Sequence, residues 1–238
     1  MSHPHQHAPP GLAVFDMDST LIQQEVIDEL ARAVGKYDQV AAITEAAMRG
    51  EAPYTDFEAS LRARVALLKG VPTSIWEELK VNTITFTPGA TDLVRILRAE
   101  GWKTAVLSGG FMPLATWVKE RLGLDYAYAN ELAVDHAAQA LTGELVPGAP
   151  IVHAERKRGL LLQLARENGI AVERTIAVGD GSNDLLMMHA AGVGIAFNAK
   201  PKVQAAAPRV VNSESLVSVL DVLGYSEQEV KEFLRAPV

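Results

Sequence analysis

Cysteine is absent from this sequence of 238 residues. Disulfide bonds, thiol nucleophiles and cysteine-ligated metals are therefore excluded, and the absence fits a reducing compartment such as the cytosol. The sequence also lacks any apolar run close to the ~20 residues that a membrane-spanning helix requires. Residues 1–10 contain no charged segment followed by an apolar one, so no signal peptide is predicted. We expect a cytoplasmic protein that does not enter a membrane.

Basic residues are the minority among the charges: 22 Lys and Arg stand against 29 Asp and Glu, and the net charge is −7. No basic stripe is present, which argues against a nucleic-acid partner. Hydrophobic residues make up 48% and charged residues 21%, as in ordinary globular proteins. His3, His5 and His7 lie in a tail, residues 1–10, for which solvated disorder is favoured over metal binding.

Short apolar runs alternate with helical patterns along most of the chain. Such runs are typical of strands buried on both faces of a parallel sheet, and here they cover residues 12–16, 103–108, 175–180 and 193–197. Helices are predicted between them, with Pro, Asn and Gly at their ends, over residues 90–99, 113–122, 155–167 and 184–191. The alternation predicts an α/β fold with a doubly wound parallel sheet.

Two segments depart from that alternation. Residues 22–86 contain no buried-strand pattern and instead show apolar residues at helical spacing, first over 22–34 and then around 38–48 and 55–68. They predict an inserted helical cap. Residues 126–147 predict a β-hairpin flap. The predicted organisation is a tail (1–10), a core (11–22 and 84–238) and a cap (23–83).

Three predicted strands end in Asp16, Ser108 and Asp180, each followed by a loop suited to phosphate or metal. Open α/β sheets bind ligands at this edge. A carboxylate that ends a buried strand is costly unless it is paired or metal-bound, and Mg²⁺ prefers oxygen ligands. Asp184 can complete such a site and Lys157 can balance its charge. The alternative is that these acids are helix caps and turn formers.

The segments FDMDST (15–20), SGG (108–110), Lys157 and GDGSND (179–184) resemble, in this order, the four motifs of the haloacid dehalogenase superfamily of phosphatases. The segments VIDELAR (26–32) and FEASLRARV (57–65) resemble the cap of those members that hydrolyse O-phospho-L-serine. The resemblance covers residues 11–211. It implies a Rossmann-like core and a Mg²⁺-dependent hydrolase that carries out the last step of serine biosynthesis. The expected partner is a small-molecule substrate, and the expected assembly is a monomer or homodimer.

The resemblance also implies roles for individual residues. Asp16 is expected to be the nucleophile that forms an aspartyl-phosphate, and Asp18 the general acid and base. Asp16, the backbone carbonyl of Asp18, and Asp180 are expected to bind Mg²⁺, while Asp184 steadies Lys157 and the waters of the metal. Substrate-binding roles are implied for the phosphate-site and cap positions Ser108, Gly109, Lys157, Asn183, Glu25, Arg64, Met48 and Phe57.

Some alternatives stay open from the sequence. Glu25 and Arg64 are matched to the amino and carboxylate groups of phosphoserine, but Arg62 competes with Arg64. The run 156–158 is Arg-Lys-Arg, which leaves the phosphate-site cation ambiguous by one position. The substrate alternatives are another small phosphomonoester, such as phosphohomoserine or a sugar phosphate. A phosphate-accepting signalling module is a further alternative, although a second Asp after the nucleophile would promote turnover.

Overall fold

The computed structural model describes residues 10–49, 51–54 and 56–235. Within them, a six-stranded parallel sheet has the strand order β3-β2-β1-β6-β7-β8, and a separate two-stranded antiparallel sheet has the order β4-β5. The strands are β1 (Leu12–Phe15), β2 (Lys103–Phe111), β3 (Tyr126–Asn130), β4 (Leu132–Asp135), β5 (Ala140–Leu145), β6 (Thr175–Gly179), β7 (Val193–Phe197) and β8 (Arg209–Val211).

Helices cover both faces of the six-stranded sheet, as the alternating pattern predicts. No helix in the described ranges has the length and apolarity that crossing a membrane demands. The helices are α1 (Val26–Ala33), α2 (Tyr37–Arg49), α3 (Phe57–Ala66), α4 (Ile75–Glu78), α5 (Ala90–Ala99), α6 (Met112–Leu122), α7 (Ala154–Glu167), α8 (Leu185–Ala190), α9 (Pro201–Ala206), α10 (Val219–Val222) and α11 (Glu227–Arg235).

The central strand β1 is buried on both faces, which explains its uninterrupted apolar sequence. Successive side chains of a strand point to opposite faces. Ala13 and Phe15 therefore pack into the core that contains α5 and α6, whereas Leu12 and Val14 pack into the core that contains α7 and α8. Because β1 lies between β2 and β6, the carboxyl ends of these three strands are neighbours, and the residues that follow them meet at one edge of the sheet.

The predicted hairpin over residues 126–147 is wrong in its first part. Residues Tyr126–Asn130 form a parallel edge strand against β2, and only β4 and β5 form the hairpin. The prediction failed because the half-buried pattern of β3 resembles that of a hairpin strand, and because a single residue separates β3 from β4. The hairpin joins the helical segment: Gly70 N donates to Leu141 O (2.8 Å) and Leu141 N donates to Val71 O (2.8 Å).

Other predicted boundaries also need correction. The helix predicted from Ile22 begins at Val26, because Ile22 instead forms an isolated bridge with Phe86. The strand predicted to end at Ser108 continues to Phe111, with an irregularity in its pairing to β3 between Leu107 and Phe111. The remaining corrections are elements that were not predicted, namely β8, α4, α9, α10 and α11.

Candidate active site

Asp16 follows β1 directly and is held at the edge of the sheet. Its backbone N–H donates to Val178 O of β6 (2.9 Å), which continues the parallel ladder. Its Oδ1 accepts a hydrogen bond from Met17 N (2.7 Å) and lies 2.8 Å from Lys157 Nζ. The wide helical turn Met17–Leu21 follows, with Ser19 in the left-handed region at φ 55°. Asp16 is therefore a buried carboxylate that faces the ligand-binding edge.

Lys157 is the basic residue that reaches this carboxylate. Its side chain is 0% exposed, and its Nζ also lies 2.6 Å from Asp184 Oδ1. Burial lowers the pKa of Lys157, but the charges of Asp16 and Asp184 outweigh burial and hold that pKa above its usual range. Arg158 is exposed and pairs with Glu155 on the surface of α7. The geometry therefore distinguishes Lys157 from Arg158.

Three carboxylates converge beside Lys157. Oxygens of Asp16, Asp180 and Asp184 all lie within 4.8 Å of one another. Burial, followed by the charges of Asp16 and Glu25, raises the pKa of Asp180 to about 7. Burial and then the charge of Asp16 raise the pKa of Asp184 as well. These like charges are in mutual repulsion, and their oxygen-only donor set fits a hard divalent cation.

The loop after β6 is shaped by Asp184. Its Oδ2 accepts a hydrogen bond from Gly181 N (3.0 Å), so Asp184 closes the turn that precedes α8. A Cβ on Gly179 would lie 2.5 Å from the Asp184 carboxyl, and a residue without a side chain is therefore required there. The Asn expected at the start of the helix predicted over 184–191 is Asn183, and it does not cap α8. It lies inside the 3₁₀ turn Ser182–Asp184 and lines the cavity.

Asp18 presents an unpaired carboxyl oxygen. Its Oδ2 accepts from Val26 N (3.1 Å), whereas its Oδ1 is buried and has no hydrogen-bond partner in the described ranges. Burial, then the charges of Glu25 and Asp16, raise the pKa of Asp18 well above its ordinary value. A carboxyl group in this environment is suited to carry a proton and to donate it.

Ser108 and Gly109 lie where β2 loses regular pairing with β3. Gly110 N donates to Ser108 Oγ (2.8 Å). Asn130 Nδ2 donates to Gly109 O (2.8 Å), while Val152 N donates to Asn130 Oδ1 (2.8 Å). Asn130 thus fixes the loop, and the sequence prediction missed it. The sequence shows only a polar residue at the end of the segment YAYAN, and its burial is seen only in the structure.

A cavity of about 510 Å³ lies between the sheet edge and helices α1 to α3. This size suits a small molecule. The sequence-predicted residues that line it are Asp16, Asp18, Glu25, Phe57, Arg64, Ser108, Gly109, Asp180 and Asn183. Lys157 and Asp184 reach the same site through the contacts described above. Met48 belongs to α2, but its side chain lies outside the described residues, as do His3, His5 and His7.

The helical side of the cavity carries the basic Arg64 and three acidic residues, Glu25, Asp28 and Asp56. Glu25 accepts from Ser19 Oγ (2.7 Å), and desolvation of its carboxylate raises its pKa. Arg64 Nε donates to Ser60 O (3.2 Å), and burial lowers the pKa of Arg64. The charges of Glu25 and Asp28 act in the opposite direction and raise the Arg64 pKa, but burial outweighs them, and Arg64 lines the cavity.

Two further contacts settle how the helical side is arranged. Arg62 is exposed on α3 and pairs with Glu58 (2.7 Å), away from the cavity lining. Arg64 rather than Arg62 therefore faces the cavity. The Phe57 ring lies close to the loop of residues 108–110. A Cβ added to Gly109 would lie 3.2 Å from Phe57 Cζ and 3.5 Å from Asn183 Nδ2. The Phe57 ring therefore lines the cavity beside this loop.

Comparison with known proteins agrees with this geometry. The chain is 52% identical over 217 residues to a phosphoserine phosphatase of Idiomarina loihiensis, covering 91% of this chain and 95% of the relative. It is 50% identical over 223 residues to a probable phosphoserine phosphatase of Schizosaccharomyces pombe, covering 94% and 73%. A solved structure of a phospho-aspartyl intermediate analogue of phosphoserine phosphatase superposes with a TM-score of 0.81 at 40% identity, covering 91% and 100%.

The family model for haloacid dehalogenase-like hydrolases matches residues 13–189. That range begins inside β1 and ends in α8, so it contains every strand-end aspartate described above as well as Lys157. With the fold, the acidic cluster and the relatives in agreement, the chain belongs to the haloacid dehalogenase-like hydrolase family.

Proposed function

We propose that this chain hydrolyses O-phospho-L-serine to L-serine and phosphate through a phosphorylated Asp16, the last step of serine biosynthesis. One observation carries the proposal. A single cavity has the aspartate cluster of the sheet edge on one wall and Glu25 and Arg64 on the opposite wall. The names of the relatives support the same substrate. An amino acid that bears a phosphate presents the three charges that these two walls complement.

In the proposed binding mode, the phosphoryl group lies at the sheet edge. Lys157, Ser108, Asn183 and the backbone of Gly109 bind its oxygens. On the helical side, Glu25 accepts hydrogen bonds from the substrate ammonium and Arg64 donates to the carboxylate. Phe57 and Met48 form the apolar wall between them. The phosphate-site residues would thus bind any phosphomonoester, whereas the residues of the helical side bind the serine moiety.

The first chemical step is attack by an Asp16 carboxylate oxygen on phosphorus. The bond from phosphorus to the serine oxygen breaks, and Asp18 donates its proton to that oxygen. The raised pKa of Asp18 and the unpaired Oδ1 support this role. In the second step, the Asp18 carboxylate takes a proton from water, which attacks phosphorus and releases Asp16 and inorganic phosphate.

Charge neutralisation is the second requirement of phosphoryl transfer. We propose that Asp16, Asp180 and the backbone carbonyl of Asp18 hold Mg²⁺, which when bound offsets the negative charge of the phosphoryl oxygens. Asp184 holds Lys157 in place for the same purpose, supported by their 2.6 Å contact. The acidic cluster supports a divalent cation in general, and magnesium in particular is part of the proposal.

The remaining proposals concern organisation. We propose a phosphatase core of residues 11–22 and 84–238 with a cap of residues 23–83, because the helical side of the cavity is built from α1, α2 and α3. We also propose a cytoplasmic enzyme that is a monomer or homodimer and that binds neither nucleic acid nor membrane. The net charge of −7 supports the absence of a nucleic-acid partner.

The decisive experiment compares phosphoserine with phosphohomoserine, a sugar phosphate and p-nitrophenyl phosphate. Phosphoserine should have the highest kcat/KM. Arg64→Ala should raise KM for phosphoserine by roughly ten- to hundredfold, the value of one charge-assisted hydrogen bond, and leave KM for p-nitrophenyl phosphate nearly unchanged. Arg62→Ala is the matched control and should change neither. A wild-type preference for a sugar phosphate would overturn the substrate assignment while leaving the aspartate chemistry in place.

A further inference from the structure

Ser60 carries a buried hydroxyl that the fold does not use. The residue is 2% exposed, and its Oγ has no hydrogen-bond partner among the residues that the structure describes. A serine within a helix commonly bonds back to the carbonyl one turn earlier. Here that carbonyl, Asp56 O, accepts the Ser60 backbone N–H (3.2 Å), and the Ser60 hydroxyl makes no bond to it. A buried hydroxyl without a partner is a cost that a folded protein rarely carries without a reason.

Ser60 lines the cavity beside the guanidinium of Arg64. The two residues are four apart on α3, so they share one face of the helix. The contact from Arg64 Nε to Ser60 O (3.2 Å) holds the guanidinium against residue 60. The serine hydroxyl therefore lies on the same wall as the cation that faces the cavity.

The hydroxyl of Thr44, on the same wall, differs from that of Ser60 in having an acceptor within the protein. Thr44 Oγ1 on α2 lies 3.5 Å from Arg64 Nη1, and it donates its own hydrogen to Val40 O (3.1 Å). The hydrogen of Thr44 is thus committed within the protein. The Ser60 hydrogen has no such acceptor in the described ranges, so it is the one of these two donors that remains available to a ligand.

We propose that Ser60 is a further substrate-specificity residue, whose hydroxyl donates a hydrogen bond to the same substrate carboxylate that Arg64 binds. The inference rests on the proposed function, since it names a group of phosphoserine. A carboxylate has two oxygens and about four lone-pair directions, so it accepts both guanidinium donors and still has room for a hydroxyl. Ser60 thereby favours amino-acid phosphates over phosphomonoesters that lack a carboxylate.

The test uses O-phosphoserine and O-phosphoethanolamine, which share the phosphate and the ammonium and differ in the carboxylate. Ser60→Ala should raise KM for phosphoserine about tenfold, as expected for loss of one hydrogen bond to a charged group, with kcat changed less than about twofold. KM for phosphoethanolamine should change by less than about twofold, because that substrate offers Ser60 no carboxylate. Ser74→Ala, the same change at an exposed serine of residues 23–83, should alter neither value.

Stability measurements separate binding from a structural role. Because Ser60→Ala removes an unpaired buried hydroxyl, its Tm should equal or exceed that of the wild type. Ser60→Cys keeps the side-chain size with only a weak donor, so it should reproduce the KM effect if the alanine variant does not fold. An unchanged KM for phosphoserine, or equal rises on both substrates, overturns the inference. A wild-type enzyme that does not turn over phosphoserine instead overturns the proposed function.

Discussion

At the scale of the residue, Lys157 is the cation on which the buried acids depend. It lies 2.8 Å from Asp16 and 2.6 Å from Asp184, and it is wholly buried. Removal of one partner of a buried ion pair leaves an uncompensated buried charge, which costs about 3–5 kcal/mol. We therefore expect Lys157→Met to lower the free energy of unfolding by about that amount at pH 7.

Urea unfolding in the absence of divalent cations measures this effect directly, because no added ion then screens the carboxylates. Arg158→Met is the matched control: it removes an exposed basic residue one position away and should change stability by less than about 0.5 kcal/mol. Equal stability of the Lys157 variant and the wild type would show that the acids do not need this cation.

Individual residues also show what the sequence reveals and what it does not. Asp16 and Asp180 were predictable, because a carboxylate at the end of an apolar run can be recognised in the sequence. Asn130 and Ser60 were not, since their significance lies in contacts with Gly109, with Val152 and with the cavity. Neighbouring basic residues on one helix likewise point in different directions, and only packing shows which one is buried.

At the scale of the element, apolar runs predicted the central strands well. The bounds of β6 and β7 agree with the sequence to within one residue, because a strand buried on both faces has a continuous apolar sequence. The prediction failed for β3 and β8, which lie at the two edges of the sheet. Edge strands are half-buried or short, so their pattern resembles that of a hairpin or a loop.

The start of β3 is fixed to β2 by a carboxylate, which gives a stability prediction. Asp125 accepts hydrogen bonds from Thr104 N (2.9 Å), Thr104 Oγ1 (3.1 Å) and Lys103 Nζ (3.0 Å). Asp125→Ala leaves the buried Thr104 donors unpaired and should cost about 1–3 kcal/mol. Lys103→Ala removes only the exposed ion pair and should cost less than about 1 kcal/mol. Equal effects on chemical unfolding would contradict this assignment.

The same carboxylate predicts a pH dependence. Burial raises the pKa of Asp125, but the bonds from Lys103 and Thr104 outweigh burial and lower it below its ordinary value. A lowered folded-state pKa contributes stability that is present above the unfolded pKa, about 3.9, and is lost as the pH falls through the folded value. The stability difference between wild type and Asp125→Ala should therefore be full near pH 6 and should shrink below about pH 4.

At the scale of the whole molecule, the acidic cluster predicts that magnesium binding and stability are linked. Asp16, Asp180 and Asp184 repel one another, and a cation that binds only the folded state raises Tm. We expect chelation to abolish activity, and added Mg²⁺ to restore it and to raise Tm. Asp180→Asn should weaken the Tm response, whereas the exposed control Asp38→Asn should not. Full activity after exhaustive chelation would contradict the proposed cofactor.

The overall arrangement was largely predictable because the short apolar runs typical of buried strands alternate with helical patterns along the chain. The helical insert was visible as a segment without a buried strand, and α1, α2 and α3 lie where it was predicted. The contacts between distant parts were not visible. That the hairpin pairs with residues 70–73, and that Phe57 approaches Gly109, follows only from the three-dimensional packing.

The central claim is that Asp16 accepts the phosphoryl group from phosphoserine. Acid-quenched single turnover of phosphoserine that carries a radiolabelled phosphoryl group tests this claim most directly. Peptide mapping should locate the label on Asp16 of the wild type and find none in Asp16→Asn. Asp18→Asn should slow both formation and loss of the label by roughly 10²–10⁴-fold. Label on another residue, or a near-wild-type rate in Asp16→Asn without deamidation back to aspartate, would contradict the mechanism.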